Sequence, residues 1–422
     1  MGKIMRFYRI PLRISFTIAI LVVYLGQPKL VTGLGERASE RTASQTSPIP
    51  AVVYVSTDGH IHELALKDGW QHRDLTEAAA APLASPYRAM AFQRSDGVSM
   101  VVYRAADLNI HSLYLEMKKQ DNTWQEVWHH ADLSDIAGAP DAGSDPFGYV
   151  RNDGINAVVY AGVDEHIHEL RLEGTWIHAD LTIMPDPDAP NTYIDERPFA
   201  YDRGDGINAI VYEWPGCICG RPPHIIELRL DSTGWDWADL TAISIPQAPI
   251  ASSEFTAYVR SDGIPTINYR GIDSHIHDLR LETAWYHYDL TDATGAGDAY
   301  EGSAPYGYVR SDGINAIVYA AGVFSDLHIY EFYLQNTWHH YELTSIPNAK
   351  LGGYPIGYVR SDGLNAVVYR GMNDHILEIR LERDGWQWAD LTFLAGEISG
   401  GTNPWPYNRS GVNSAYLPLI IR

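Results

Sequence analysis

The apolar residues of this chain fall in short bursts rather than long runs. Residues 356–392 show the pattern: IGYVRSDGLNAVVYRGMNDHILEIRLERDGWQWADLT. Four β-prone pieces follow one another, Gly357–Arg360, Asn365–Arg370, His375–Leu381 and Trp386–Thr392. β-branched and aromatic residues fill them, and Gly, Asp and Asn punctuate the gaps. Ser361-Asp362-Gly363 predicts a hairpin turn, because Asp-Gly accepts the positive φ of a tight reversal. Gly371–Asp374 and Glu382–Gly385 predict the next two turns. No stretch sustains a helical period, which excludes helical repeats of similar length.

The same text recurs along the chain. Residues 147–182 read FGYVRNDGINAVVYAGVDEHIHELRLEGTWIHADLT, and related copies lie near residues 89, 199, 256 and 306. A copy without its opening piece begins at Ala51. The tyrosine of the V-V-Y segment keeps register at Tyr54, Tyr103, Tyr160, Tyr212, Tyr269, Tyr319 and Tyr369. Seven copies of a four-strand unit predict an all-β fold, a seven-bladed β-propeller of four-stranded blades. The missing first piece has a spare at the other end of the chain, Pro406–Asn413. A C-terminal strand completing the first blade would close the ring and remove exposed sheet edges. Val412–Leu417 also reads as a strand, so the tail and Ala51–Val55 compete for one place.

Composition sharpens this picture at the edges. With 45% apolar residues, 27 Tyr and 12 Trp among 422 residues, the chain has material for a large core. Acidic residues number 53 against 31 basic, a net charge of -22, which repels phosphate backbones and excludes nucleic acid as an expected partner. At the N-terminus, Lys3, Arg6, Arg9 and Arg13 precede the uncharged apolar run Ile14–Leu25. That layout predicts a signal peptide over 1–33, with Val31-Thr32-Gly33 as a small-residue exit, and hence a secreted protein. An uncleaved anchor is the competing reading, and only then would a membrane be a partner. Residues 34–49 read as a polar lead-in, and 50–422 as the propeller. The two cysteines, Cys217 and Cys219, are compatible with a strained ring, a metal held with outside help, or free thiols.

Aligned copies yield columns. The aromatic column is Trp70, Trp128, Trp176, Trp235, Trp285, Trp338 and Trp386. Such a column packs blade on blade, and it also offers platforms for the apolar face of a sugar ring. The acidic column is Glu63, Glu169, Glu227, Asp278, Glu331 and Glu378, with Ser112 in the second copy. Alternation puts Glu378 with Arg380, Glu169 with Arg171 and Glu227 with Arg229 on one strand face. A register-fixing ion pair is one reading; a carboxylate accepting hydrogen bonds from ligand hydroxyls is the other. Histidines form two further columns, His60, His166, His224, His275, His328 and His375, then His62, His111, His168 and His277. His-x-His on a strand suits zinc, but no third ligand is suitably spaced, so hydrogen bonding within the blade is expected and no metal or cofactor. The closing D-L-T reads as turn and edge chemistry.

Nearly every chemical candidate belongs to a repeat column, whereas an enzyme needs one asymmetric cluster. No G-x-S-x-G or H-E-x-x-H is present. The reading is therefore non-catalytic. Two asymmetries remain, the insertion Glu213–Pro223 and the extension Glu116–Glu126, either specificity loops or tolerated insertions.

The order of apolar strand, V-Y strand, I-x-E strand and Trp resembles the repeat of fungal fucose-specific lectins and related bacterial propeller lectins. Ile61-His62-Glu63, Ile167-His168-Glu169 and Ile376-Leu377-Glu378, each followed by its Trp, carry the resemblance over about Ala51 to Leu417. It implies glycan or glycoconjugate partners and pockets between neighbouring blades, built from an Arg, a Glu and an aromatic. The Glu and Trp columns named above are then the ligand-binding residues: Glu63, Trp70, Glu169, Trp176, Glu227, Trp235, Asp278, Trp285, Glu331, Trp338, Glu378 and Trp386. The family's arginine precedes the V-Y pair, where this chain has Val52, Val101, Val158, Ile210, Ile267, Ile317 and Val367. The family also has six blades rather than seven. The expectation is a secreted, non-catalytic lectin-like propeller with several equivalent inter-blade sites. The alternative is a structural or protein-interaction propeller that binds no sugar.

Overall fold

The computed structural model describes residues 48–85, 88–182, 190–193, 196–215, 222–323, 326–345, 351–396 and 399–411. The N-terminal leader, Cys217, Cys219 and the tail strand Val412–Leu417 lie outside the described residues. Within them the chain forms seven four-stranded antiparallel sheets, a seven-bladed β-propeller. Blade seven gives the regular form, with strands Ile356–Val359, Asn365–Arg370, Ile376–Glu382 and Gly385–Asp390. First strands touch one another around a ring, from Met90–Gln93 of blade two to Ile356–Val359 of blade seven.

Blade one takes its first strand from the other end of the chain. Trp405–Arg409 lies beside Ile49–Val55, which pairs Ile61–Leu66, which pairs Trp70–Asp74. The competition expected for one place does not arise, because Ile49–Val55 is the second strand and the tail supplies the first. The closing strand is tied on both sides. Trp405 Nε1 donates to the Ala91 carbonyl of blade two at 3.0 Å, and Asn408 Nδ2 to the Val359 carbonyl of blade seven at 3.0 Å.

Burial falls from the second strand outward, and the sequence pattern explains it. All six residues of Asn156–Ala161 are buried, as are five of six in Asn365–Arg370. A strand apolar on both faces needs cover on both, which radial stacking supplies. Near the axis, aromatic side chains of neighbouring and next-but-one blades meet. Phe147 lies 4.3 Å from Phe199 and 5.8 Å from Trp405, and Tyr306 lies 5.9 Å from Trp405, centroid to centroid. The axis is thus packed with rings at this level.

Each repeat motif has a local task. In D-L-T the Asp closes the fourth strand and its carboxylate caps a helix of four or five residues in blades one, two, four, five and seven. These helices were not expected from apolar periodicity, since one turn is too short to show a period. The Leu is fully buried, and the Thr hydroxyl accepts the backbone N–H that opens the third strand, as Thr392 does from Ile376 at 2.8 Å. In the R-S-D-G turns, Gly363 sits at φ 86°, where a side chain would be strained, and Asp362 holds Arg360 Nη2 at 2.6 Å. The Asn that follows in the next blade accepts the turn's N–H: Ser311 donates to Asn365 Oδ1 at 2.7 Å.

Candidate functional site

The acidic column is enclosed, and its partners come from the first strand of the same blade. Glu378 has no solvent exposure. It accepts from Tyr358 Oη at 3.2 Å and from Arg360 Nη1 at 2.8 Å, both supplied by the G-Y-V-R piece. The arrangement repeats at Glu169 with Tyr149 and Arg151, at Glu227 with Tyr201 and Arg203, and at Glu331 with Tyr308 and Arg310. Glu63 is held across the ring closure by Tyr407 and by Arg409 Nη1 at 2.9 Å. Asp278, one methylene shorter, accepts from Asn268 Nδ2 at 3.1 Å and from Arg280 Nε instead. Burial pushes the carboxyls of Glu169, Glu227, Glu378 and Asp278 above their ordinary range against the pull of these arginines, and takes Glu331 to about 7.

The carboxylates expected to face a ligand therefore sit behind the arginines that they orient. The register-fixing pair also differs from expectation. Its cation is mainly the first-strand arginine, while Arg380 Nη1 stands 3.6 Å from Glu378 and Arg171 Nε turns to Glu173 at 2.5 Å. Arg104 and Arg370, after the V-V-Y tyrosine, donate to loop carbonyls rather than to the clefts. The arginine column Arg94, Arg151, Arg203, Arg260, Arg310, Arg360 and Arg409 was not among the expected site residues. Its signal was visible, because an Arg ends the first-strand piece of every copy.

Antiparallel register puts Glu378 and Arg380 on one blade face, with Gln387 and Ala389. Trp386, opposite Leu381, lies on the other. The arginine face of each blade is thus turned to the tryptophan face of the next. Arg360 stands 5.9 Å from the Trp70 ring centroid, Arg409 5.9 Å from Trp128, and Arg280 5.8 Å from Trp338. Between these faces lie two equivalent clefts. One, of about 750 Å³, is lined by Arg360, Arg380, Trp388 and Phe393 of blade seven and by Leu66 and Trp70 of blade one. The other, of about 640 Å³, is lined by Arg260, Arg280 and Tyr288 of blade five and by Leu334, Asn336 and Trp338 of blade six. Trp70 and Trp338 are half-buried in these walls, as Trp235 and Trp386 are at their own interfaces. Trp128, Trp176 and Trp285 are buried. Glu378 and Asp278 lie behind the two cleft floors; the other expected carboxylates line neither cleft.

The histidines work inside the blades. Each first-column His meets the D-L-T acid, from His375 Nδ1 to Asp390 at 2.7 Å to His328 Nδ1 to Glu342 at 2.7 Å. In the second column His62, His111, His168 and His277 hydrogen-bond His72, His130, His178 and His287. Three groups bring ligand atoms within metal-binding reach: Asp107, His111 and Asp132; Asp164, His168 and Asp180; Asp273, His275 and Asp289. In the first two, both ring nitrogens of the histidine already hydrogen-bond protein groups. Among the described residues an asymmetric charged group stands beside the axis: Arg88 Nη1 lies 2.8 Å and Arg197 Nη2 3.3 Å from Glu254, and the Arg88 backbone N–H donates to Asp145 at 3.0 Å. It combines two carboxylates with two guanidinium groups.

No protein-family model matches this chain, and no curated protein matches it. Several solved structures are similar. The six-bladed fucose-recognising lectin of Aleuria aurantia is 13% identical, with a TM-score of 0.45 over 71% of this chain and 93% of that one. AofleA from Arthrobotrys oligospora is 13% identical, with a TM-score of 0.42 over 78% and 90%. A protein from Dyadobacter fermentans is 12% identical, with a TM-score of 0.40 over 82% and 94%. Propeller lectins of the kind that the repeat resembles are thus among the structures similar to this chain. So distant a likeness carries no argument about ligands, and the seven-bladed fold rests on this chain's own strand order.

Proposed function

We propose that this protein is a secreted, non-catalytic propeller that binds carbohydrate in clefts between its blades. The observation that carries the reading is the recurrence of one cleft at two blade interfaces, with two arginines on one wall and a half-buried tryptophan on the other. An indole face accepts the C–H face of a sugar ring, and planar guanidinium groups donate paired hydrogen bonds to neighbouring oxygens. The buried carboxylate behind each pair fixes an arginine in place, so little rotamer freedom is lost on binding. Several weak sites on one rigid ring would gain strength together on a glycan-coated surface. Secretion is supported by the charged and apolar N-terminal pattern.

A glycan array probed with the full mature chain tests this. Binding that falls in Trp70→Ala and Trp338→Ala, with the fold intact by circular dichroism, is the expected result. The enclosure of the acidic column and of three tryptophans favours a second reading, a structural or protein-interaction propeller. Background-level signal across the array, and none from either tryptophan site, would establish that reading instead.

A further inference from the structure

The interface between blades one and two holds a carboxylate where the other two interfaces hold open space. Glu126 stands two residues before Trp128, on the extended fourth strand of blade two, so both face blade one. Its carboxylate meets Arg409 Nη2 at 2.5 Å, Lys67 Nζ at 2.9 Å and Arg73 Nη1 at 3.2 Å, all three from blade one. These cations hold its carboxyl at about 2 despite partial burial. Elsewhere the turn aspartate of R-x-D-G holds the first-strand arginine, but in blade one the text after Arg409 is Ser410-Gly411. Glu126 takes that aspartate's place and also binds two cations farther out along the cleft wall.

The open cleft between blades five and six has Asn336 two residues before Trp338, where blade two has Glu126, and Glu282 and Tyr288 where blade one has Lys67 and Arg73. Arg280 lies 3.9 Å from the Tyr288 centroid, and its Nε is held by Asp278. Among the described residues its two terminal nitrogens have no protein partner. Arg260 contributes a second guanidinium, whose Nε is buried without an acceptor. Arg260 Nη2 is held by the turn acid Asp262 at 2.6 Å and Arg280 Nε by the buried Asp278, so each guanidinium has its own carboxylate and the Arg280 terminal nitrogens are the donors left to a ligand. In blade seven Arg360 is held by Asp362 and Glu378, while Arg380 reaches Glu382 through Nε at 2.7 Å and stands 3.6 Å from Glu378 through Nη1. A neutral sugar would leave those terminal N–H groups to hydroxyls alone, whereas a carboxylate matches them as paired acceptors.

We propose that these two clefts select a saccharide residue carrying a carboxylate, of the uronic-acid type, with its ring against Trp338 or Trp70 and its carboxylate on Arg280 or Arg380. This rests on the carbohydrate-binding reading and deepens it. The net charge of -22 repels anions at long range, but salt screens it beyond about 8 Å, and the local guanidinium pair decides.

The test compares methyl glucuronide with methyl glucoside, which differ only at the sixth carbon, by calorimetric titration into the full mature chain at physiological salt. The glucuronide is expected to bind about tenfold tighter or more, a preference that Arg280→Gln and Arg380→Gln together reduce to about twofold or less. Arg380 is partly exposed, so the fold should tolerate its change, and the melting temperature checks this for both. Glu126→Ala empties the third cleft. Glucuronide should then raise that variant's melting temperature more than it raises the parent's. Equal affinity for the two glycosides, or a preference that survives both arginine changes, overturns the carboxylate selection while leaving carbohydrate binding standing. Absence of binding by either glycoside and by every glycan on the array removes both. An acidic peptide that binds where neither glycoside does overturns the saccharide selection.

Discussion

The ring closure makes the sharpest prediction, because one buried arginine joins both ends of the chain. Arg409 is 1% exposed and pairs Glu63 at 2.9 Å, which is also 1% exposed, and Glu126 at 2.5 Å. Arg409→Met keeps the volume and removes the charge. Glu126 retains Lys67 and Arg73, but Glu63 is left with the Tyr407 hydroxyl alone. Removing one partner of a buried pair costs about 3–5 kcal/mol, since the other charge stays without water or counter-charge. At about 2 °C per kcal/mol for a domain this large, the melting temperature should drop by roughly 6–10 °C. Differential scanning calorimetry measures the drop, and limited proteolysis should show the first new cleavage near the closing strand. Glu63→Gln added to Arg409→Met should recover at least half of the loss, because the uncompensated anion is gone. Arg310→Met should cost less than Arg409→Met, since Glu331 already titrates at about 7 with its arginine 3.6 Å away. The reasoning fails if Arg409→Met melts within about 1 °C of the parent, or if the double variant melts no higher than the single one.

Three further outcomes follow from the geometry. Glu331 has its carboxyl raised from 4.5 to about 7 by burial, so its protonation stabilises the fold fully below pH 4.5 and the benefit disappears as pH rises through 7. Glu331→Gln should remove that dependence and gain up to about 3 kcal/mol near pH 8, read from melts between pH 4.5 and 8; parallel pH profiles for parent and variant would contradict it. Gly357 packs under the Tyr308 ring of the preceding blade, and a Cβ there would overlap the ring. Gly357→Val should cost about 1–3 kcal/mol by overpacking, seen as a lower urea midpoint, whereas the open turn position Gly396 has no neighbour for a Cβ to strike. Asp390 caps the helix Leu391–Ala395 through the Phe393 N–H at 2.9 Å and holds His375 at 2.7 Å. Asp390→Ala should cost about 1–2 kcal/mol, and Asp390→Asn, which keeps a capping oxygen, clearly less; equal losses in thermal melts would show that the cap contributes nothing.

What the sequence by itself determined was the strand and turn layout of each repeat and the number of repeats. Four strands per copy, the Asp-Gly turns, the D-L-T stop and the seven-fold count follow from period-two alternation and turn chemistry, which act within a few residues. The missing first piece of blade one and its spare at Pro406–Asn413 were legible for the same reason, since each copy is a template for the others. Tertiary structure decided which groups meet across strands and blades. Column position put Glu378 beside Arg380, two residues along its strand, yet its main partner is Arg360 from a strand two places away in the sheet. Trp70 is one of the seven tryptophans of a repeat column, but only the neighbouring blade shows that Arg360 stands against its ring. Glu126 read as part of an extension, and became the filler of a cleft when closure brought Arg409 to it across most of the chain. Strand-forming propensity is encoded in neighbours along the chain, whereas cleft chemistry depends on side chains brought together by radial packing and ring closure.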